Sequence, residues 1–297
     1  MPNLAITDAQ AAFFRANGYL ILRGFLHSEE FSRLRQGVDN LTEYGKLGVH
    51  ADPDFLYGTG DKTGKRVLRR IEYVVDKSDA CKVLLGHPYI LRSVERLIGK
   101  DFIPTWDSLV AKLPAEGVEV PWHRDASHFH VGDAPIFTVA FYLDRADQDT
   151  CLWVLPGSHQ WKQSDVDQIV ARPVFSTDGA TPLLMDPGDV AFHHVLLLHG
   201  SRANHTPKTR RVLYYEFRPA RVEAELGPHT PEYIPLKQRV LVNCIARRRA
   251  APYVSRDEVP YDYDPPAPWT LTGVDVPLDS LRIPHETYWR SSESPEK

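Results

Sequence analysis

Pro121-Trp122-His123-Arg124-Asp125-Ala126-Ser127-His128 decides how this chain is read, together with Leu198-His199-Gly200-Ser201 further on. In a strand, residues two apart project from one face. His123 and Asp125 therefore aim an imidazole and a carboxylate at one point, and Arg124 turns away. Two side chains do not hold a transition metal, so a third ligand has to come from another element. His199 fits, because it ends the apolar run Val195-Leu196-Leu197-Leu198 and is followed at once by a Gly-Ser turn. Two histidines and one carboxylate form the facial triad of non-haem Fe(II) oxygenases, which leaves coordination positions open for other ligands. Arg210 then follows on a further strand, where the carboxylate of a cosubstrate requires a cation.

Size and composition permit this chemistry and exclude several others. The chain has 297 residues, 42% of them hydrophobic, enough for a sizeable core. A net charge of -4 gives no argument for nucleic acid or an anionic membrane as partner. The three cysteines, Cys81, Cys151 and Cys244, lack paired spacing and point away from a disulfide framework, toward a reducing compartment. No basic-then-apolar leader opens the chain, and no apolar run approaches the roughly 20 residues of a bilayer span. The expectation is a cytoplasmic protein, a monomer or homodimer, acting on a small-molecule substrate.

Along the chain, Thr7 caps a short helix that stops at Gly18, a β-rich run covers Tyr19 to Phe25, and Ser28 opens a second helix through about Leu41. The stretch 44–65 holds five glycines and reads as a mobile loop or lid, or equally as a plain surface insertion. Val67 to Val75 has strand character, and His87 to Ile98 has the period of a helix. From Phe102 the pattern becomes short β segments: Phe102–Leu113, Ile136–Leu143, Leu152–Leu155, Leu183–Met185, Val190–Leu198 and Arg211–Phe217. Turns between them suggest a sandwich or barrel. Half of the 24 prolines fall from Pro219 onward. Ile234 to Arg247 suits a helix, and the aromatic tail beyond it is expected to pack on the body or on a second subunit. The whole is expected to be one domain, 1–297, with N-terminal elements over 1–101, a core over 102–218 and a C-terminal helix and tail over 219–297.

Several of these segments resemble the phytanoyl-CoA dioxygenase family. They are Pro121 to Asp125, Cys151-Leu152-Trp153-Val154-Leu155-Pro156-Gly157-Ser158-His159, Pro187-Gly188-Asp189-Val190, His199-Gly200-Ser201 and Arg210. The run Phe14 to Phe25 resembles that family's opening, so the likeness covers about residues 5–218. It implies a fold that is mainly β with flanking helices, a double-stranded β-helix of the cupin-like jelly-roll kind. It also implies a dioxygenase using Fe(II), 2-oxoglutarate and O2. By motif match, iron falls to His123, Asp125 and His199, and the distal carboxylate of 2-oxoglutarate to Arg210. Ser201, Ser108 and Phe141 are further expected cosubstrate contacts. Family halogenases carry a small residue where this chain has Asp125, so halogenation is disfavoured.

His128, His130, His193 and His194 are rival ligands that read better as packed or substrate-facing residues, although His193 shares strand parity with His199. Trp122 and Trp153 read as core aromatics, and Asp186 and Asp189 as turn residues. On the strand after Thr206-Pro207, alternation alone turns Arg211 toward a core, whereas the spacing from His199 selects Arg210 for the cosubstrate. The expected activity is hydroxylation of a small molecule in secondary metabolism. The alternatives are the same chemistry diverted to desaturation, ring closure or epimerisation, and a metal-binding jelly roll without catalysis.

Overall fold

Thr7 caps the first helix, α1 (Asp8–Asn17), in a capping box with Gln10, and Gly18 closes it at φ 78°. Only glycine serves there, since a Cβ would also lie 2.6 Å from Nδ1 of His159. The computed structural model describes residues 4–48, 52–132, 134–271 and 285–290. After β1 (Tyr19–Leu22) comes α2 (Ser28–Leu47), and then a hairpin of β2 (Phe55–Thr59) and β3 (Arg66–Glu72). Most of the stretch read as a loop or lid is thus built into the fold, and 49–51 lie outside the described residues. Its tip is tied down by a Gly60 N–H to Lys65 carbonyl bond of 2.7 Å and by Glu116, which accepts from the Lys62 and Thr63 amides.

The strand expected to reach Val75 ends at Glu72, because Tyr73 turns left-handed at φ 51° and Val75 donates its N–H to Asp107 at 2.8 Å. Three helices follow, α3 (Val74–Lys77), α4 (Asp79–Leu85) and α5 (Pro88–Ile98). The β-rich half contributes β4 (Phe102–Lys112), β5 (Val120–His123), β6 (Phe137–Tyr142), β7 (Leu152–Val154) and β8 (Thr181–Leu183). It is completed by β9 (Val190–His194), β10 (His199–Ser201) and β11 (Arg210–Pro219). Short helices α6 (His128–Val131) and α7 (Gln163–Val170) interrupt it. The chain continues through α8 (Ala220–Leu226) and α9 (Tyr233–Ala250).

Seven strands form one antiparallel sheet in the order β1-β9-β6-β11-β4-β3-β2, and four form a second, β5-β10-β7-β8. The two sheets face each other as a double-stranded β-helix. Inner positions such as Ala140, Tyr142, Val154, Leu198 and Val212 fill the space between them. Outer positions of the large sheet, Phe137, Phe141, Leu213, Tyr215 and Phe217, are buried against Phe14, Leu34, Leu91 and Leu241 from the helices. Each such side chain contributes about 1.5–3 kcal/mol of burial. The tail joins this layer: Tyr263 donates to the Phe102 carbonyl at 2.6 Å and Tyr261 to Glu95 at 2.9 Å. Residues 272–284 and 291–297 of the tail lie outside the described residues.

One expected strand is cut in two. Val190–Leu198 gives β9 up to His194, and then a turn closed by Leu197 N–H to the His194 carbonyl at 2.8 Å. The apolar run Val195 to Leu198 is the crossing from the large sheet to the small one, held partly by Leu198 N–H to Ser158 Oγ at 2.8 Å. His199 therefore begins a strand instead of ending one.

On β11 the outward-facing arginine is Arg211, which lies under α2, bonded to Asp144 at 2.8 Å and to Asp39. Hydrogen bonds of charged groups contribute about 1.5–3 kcal/mol each. Arg211→Gln is expected to lower unfolding free energy by about 2 kcal/mol in urea, with an unchanged slope; a stability within experimental error of the wild type would contradict the pairing.

Candidate metal and cosubstrate site

β5 and β10 are neighbours, and their register sets His199 opposite His123. Four strands, β6 to β9, separate the two in sequence. Asp125 lies just past β5, where its N–H is held by the Val195 carbonyl at 2.9 Å. Arg124 points away, donating to the carbonyls of Ser158 at 2.6 Å and Trp161 at 3.2 Å. The alternation read from the sequence is kept.

Each histidine is oriented by its own backbone. Nδ1–H of His123 donates to the Pro121 carbonyl at 2.9 Å, and Nδ1–H of His199 to that of Leu197 at 2.8 Å. Both Nε2 atoms face Asp125 Oδ1, at 3.7 Å and 3.4 Å, the side from which each would meet a metal once it carries no proton. A carbonyl partner on the far nitrogen is the usual device for fixing a metal-binding imidazole. One ligand atom from each of His123, Asp125 and His199 lies within 4.8 Å of the others, so the group is able to hold a metal ion.

The other carboxylate oxygen, Oδ2, accepts from Nε2 of His193 on β9 at 3.1 Å. His193 is thus a positioning residue, turning Oδ1 toward the two histidines. Protein packed around Asp125 would by itself raise its carboxyl. The charge of His199 and hydrogen bonds from the three histidines outweigh this and hold it well below the carboxylate range. Burial would likewise lower His199, but Asp125 reverses the direction and raises it. Burial wins for His193, which is lowered and stays neutral. The remaining rivals sit elsewhere: His130 Nδ1–H meets the Leu226 carbonyl at 3.0 Å, and His194 faces outward against Phe14 and His159.

The triad lines a cavity of about 420 Å³ between the sheets, which Ser108, Ser201, Arg210, Leu152, Tyr214, Trp106, Arg69, Arg70 and Glu216 also line. Arg210, Ser108 and Ser201 are all at most 2% exposed. Arg210 donates one bond, Nη1 to the Thr150 carbonyl at 3.1 Å, and its Nε has no acceptor. Among the described residues no carboxylate pairs with it. Phe141 needs correcting: it is on the opposite face of β6, edge-on to Tyr215 with ring centroids 5.6 Å apart. Parity places Thr138, Ala140 and Tyr142 inward and Phe141 among the helices, so it cannot touch a ligand in the cavity.

Lys112 was not anticipated. It lies opposite Arg210 on β4, is 4% exposed, and donates to the carbonyls of Arg202 at 2.6 Å and Ser201 at 3.4 Å. Nothing in the local sequence separates it from a surface lysine. Only the β4–β11 register, which the sequence does not contain, places it beside Arg210.

A barrel of two facing sheets, a His-x-Asp…His cluster and a carboxylate-free arginine together define an Fe(II)- and 2-oxoglutarate-dependent oxygenase. The family model described as phytanoyl-CoA dioxygenase matches residues 14–212, and the chain belongs to that family. It is a non-haem dioxygenase using Fe(II), 2-oxoglutarate and O2. It is 29% identical over 213 residues to a probable alpha-ketoglutarate-dependent hypophosphite dioxygenase of Stutzerimonas stutzeri, covering 66% of this chain and 73% of that one. Against the peroxisomal phytanoyl-CoA dioxygenase of Mus musculus it is 24% identical over 238 residues, 73% of this chain and 70% of the other. The structure of EctD from S. alaskensis with 2-oxoglutarate and 5-hydroxyectoine shares the fold, with a TM-score of 0.61 at 20% identity over 73% of this chain and 77% of that one. No helix among the described residues is long and apolar enough to cross a membrane.

Burial and then the Arg210 charge pull Lys112 down to about 7, with Glu119 opposing and Arg69 adding to the fall. A dianion beside Arg210 stabilises the ammonium and raises this value, so binding takes up a proton above pH 7, and affinity falls as pH rises. Calorimetric titration of 2-oxoglutarate at pH 8 in two buffers of different ionisation heat is expected to show that uptake. Lys112→Met should remove it, and wild-type binding without uptake would contradict the coupling.

Proposed function

We propose that the cavity is the active site of a hydroxylase of small molecules, with iron on His123, Asp125 and His199. The observation that carries this is the convergence of two Nε2 atoms and Oδ1 at a cavity that also offers a buried arginine with which no carboxylate pairs among the described residues. The donor set fits the group. Both imidazoles are fixed in the tautomer that a metal requires, and the carboxylate is held ionised. The far carboxylate of 2-oxoglutarate goes to Arg210, whose planar fork meets a carboxylate bidentately as a lysine cannot. Ser108 supplies a hydroxyl from the same sheet as Arg210, and Ser201 one from the facing sheet.

Bound there, the iron and cosubstrate supply C–H oxidation by O2, with one oxygen atom ending in succinate, the other in the product hydroxyl, and CO2 released. The chain's own residues do the rest. Arg210 and Ser201 fix the cosubstrate's orientation. His193 keeps the Asp125 carboxylate turned. The apolar wall of Leu152, Val110 and Val120 limits water beside the reacting carbon. The aspartate completes the ligand set and leaves no room for a halide, which disfavours halogenation; desaturation, ring closure and epimerisation begin with the same hydrogen abstraction and remain the alternatives to hydroxylation. A non-catalytic role is disfavoured by Arg210, whose buried charge a mere metal-binding protein does not need.

Asp125→Ala is expected to abolish succinate formation and product. In Arg210→Gln, losing a charge-assisted pair costs about 2–5 kcal/mol. At roughly 1.4 kcal/mol per tenfold, the 2-oxoglutarate requirement rises by more than tenfold, while Arg211→Gln moves it little. Sensitivity at Arg211 with Arg210 silent would reverse the assignment.

A further inference from the structure

The cavity holds two further arginines that the chemistry above does not use. Arg69 and Arg70 are consecutive on β3, yet both line the cavity. Regular alternation would send one outward, as it sends Leu68 and Ile71 into the outer core. A β-bulge resolves this. Leu56 opposes Arg70 and Tyr57 opposes Leu68, so Arg69 has no partner across the hairpin. Such an extra residue re-aims a side chain, and bulges concentrate beside active sites.

The bulge comes with a space made for the guanidinium. Gly58, on the facing strand, would put a Cβ 2.1 Å from Arg69 Nε and 2.4 Å from its Cζ, so any side chain there would displace the head group. Arg69 donates to the Thr59 carbonyl, and its buried Nε has no acceptor. Among the described residues no carboxylate pairs with it. Arg70 differs: its Nε lies 3.4 Å from Glu72, and its Cζ lies 5.6 Å from the Trp106 ring centre. Arg69 is half-buried, with its Nε out of water and unmatched, so its fork faces the cavity with a donor that an anion would satisfy.

We propose that Arg69, flanked by Arg70, recognises an oxyanion on the substrate, a carboxylate, phosphonate or sulfonate, and so selects small anionic molecules. This deepens the hydroxylase reading and rests on it. Arg210 serves the cosubstrate, and the bulge pair serves the molecule to be oxidised. Arg70 and the face of Trp106 border the anion site.

The test is anaerobic calorimetry of protein loaded with Fe(II) and saturating 2-oxoglutarate, using propionate, ethylphosphonate, ethanesulfonate and neutral propanamide as probes. At least one oxyanion should bind ten times more tightly than propanamide, and which one does identifies the head group. Arg69→Gln should weaken that probe at least tenfold, Arg69→Lys less, and exposed Arg66→Gln not at all. Gly58→Ala keeps both arginines and should also weaken it by crowding Arg69. Thermal unfolding confirms that each variant is folded, and 2-oxoglutarate affinity should stay within twofold throughout. The proposal is overturned if no oxyanion outbinds the amide, if folded Arg69→Gln binds normally, or if its loss falls on 2-oxoglutarate instead. Absence of 2-oxoglutarate binding in the wild type would instead remove the hydroxylase reading, and this one with it.

Discussion

The pairing of β10 with β5 is the constraint on which the rest depends. Neither strand exceeds four residues, and their register alone sets His199 opposite His123. Two carbonyls, of Pro121 and Leu197, then choose the tautomers, and the Val195 carbonyl fixes the backbone at Asp125. The large sheet and its helices serve this small one. They bury one face, leave the other to wall a cavity, and deliver His193 and Arg210 from β9 and β11. An error of one residue in either strand would turn a ligand outward.

Electrostatics explains why the site is arranged in layers. Asp125 is held ionised by three histidines, so its negative charge is already organised for a cation. Arg210 and Lys112 form a positive end with which no carboxylate pairs among the described residues, and burial, then the Arg210 charge, pulls Lys112 down to about 7. On the β3 side Arg69 repeats the pattern. A cavity with a prepared anion at Asp125 and, among the described residues, two arginines that no carboxylate pairs is matched to a metal and to anionic molecules. Its stability without them is the lower for it.

Much of this was legible in the sequence, and the reasons differ by residue. His123, Asp125 and the turned-away Arg124 follow from a period of two. The gap to His199 matches the four strands that fill it, although the strand before it was drawn too long. An unbroken apolar run does not reveal that a chain leaves one sheet for another. Phe141 was expected at the cosubstrate from the family likeness, and alternation offered no correction because both faces of β6 are buried. Lys112 depends on register between distant strands, and the bulge at Arg69 on the register inside the β2–β3 hairpin; no local pattern carries either. The segment 44–65 was left open between a lid and a plain surface insertion because its glycines read as a loop; its described residues run from the end of α2 into the β2–β3 hairpin at the edge of the sheet.

The central claim is that these three side chains hold one metal ion. Crystals grown without oxygen and soaked in Fe(II), with diffraction recorded either side of the iron absorption edge, test it most directly. A single anomalous peak is expected between Nε2 of His123, Nε2 of His199 and Oδ1 of Asp125, and absent in His199→Ala. A peak elsewhere in the wild type, or none at saturating iron, would contradict it.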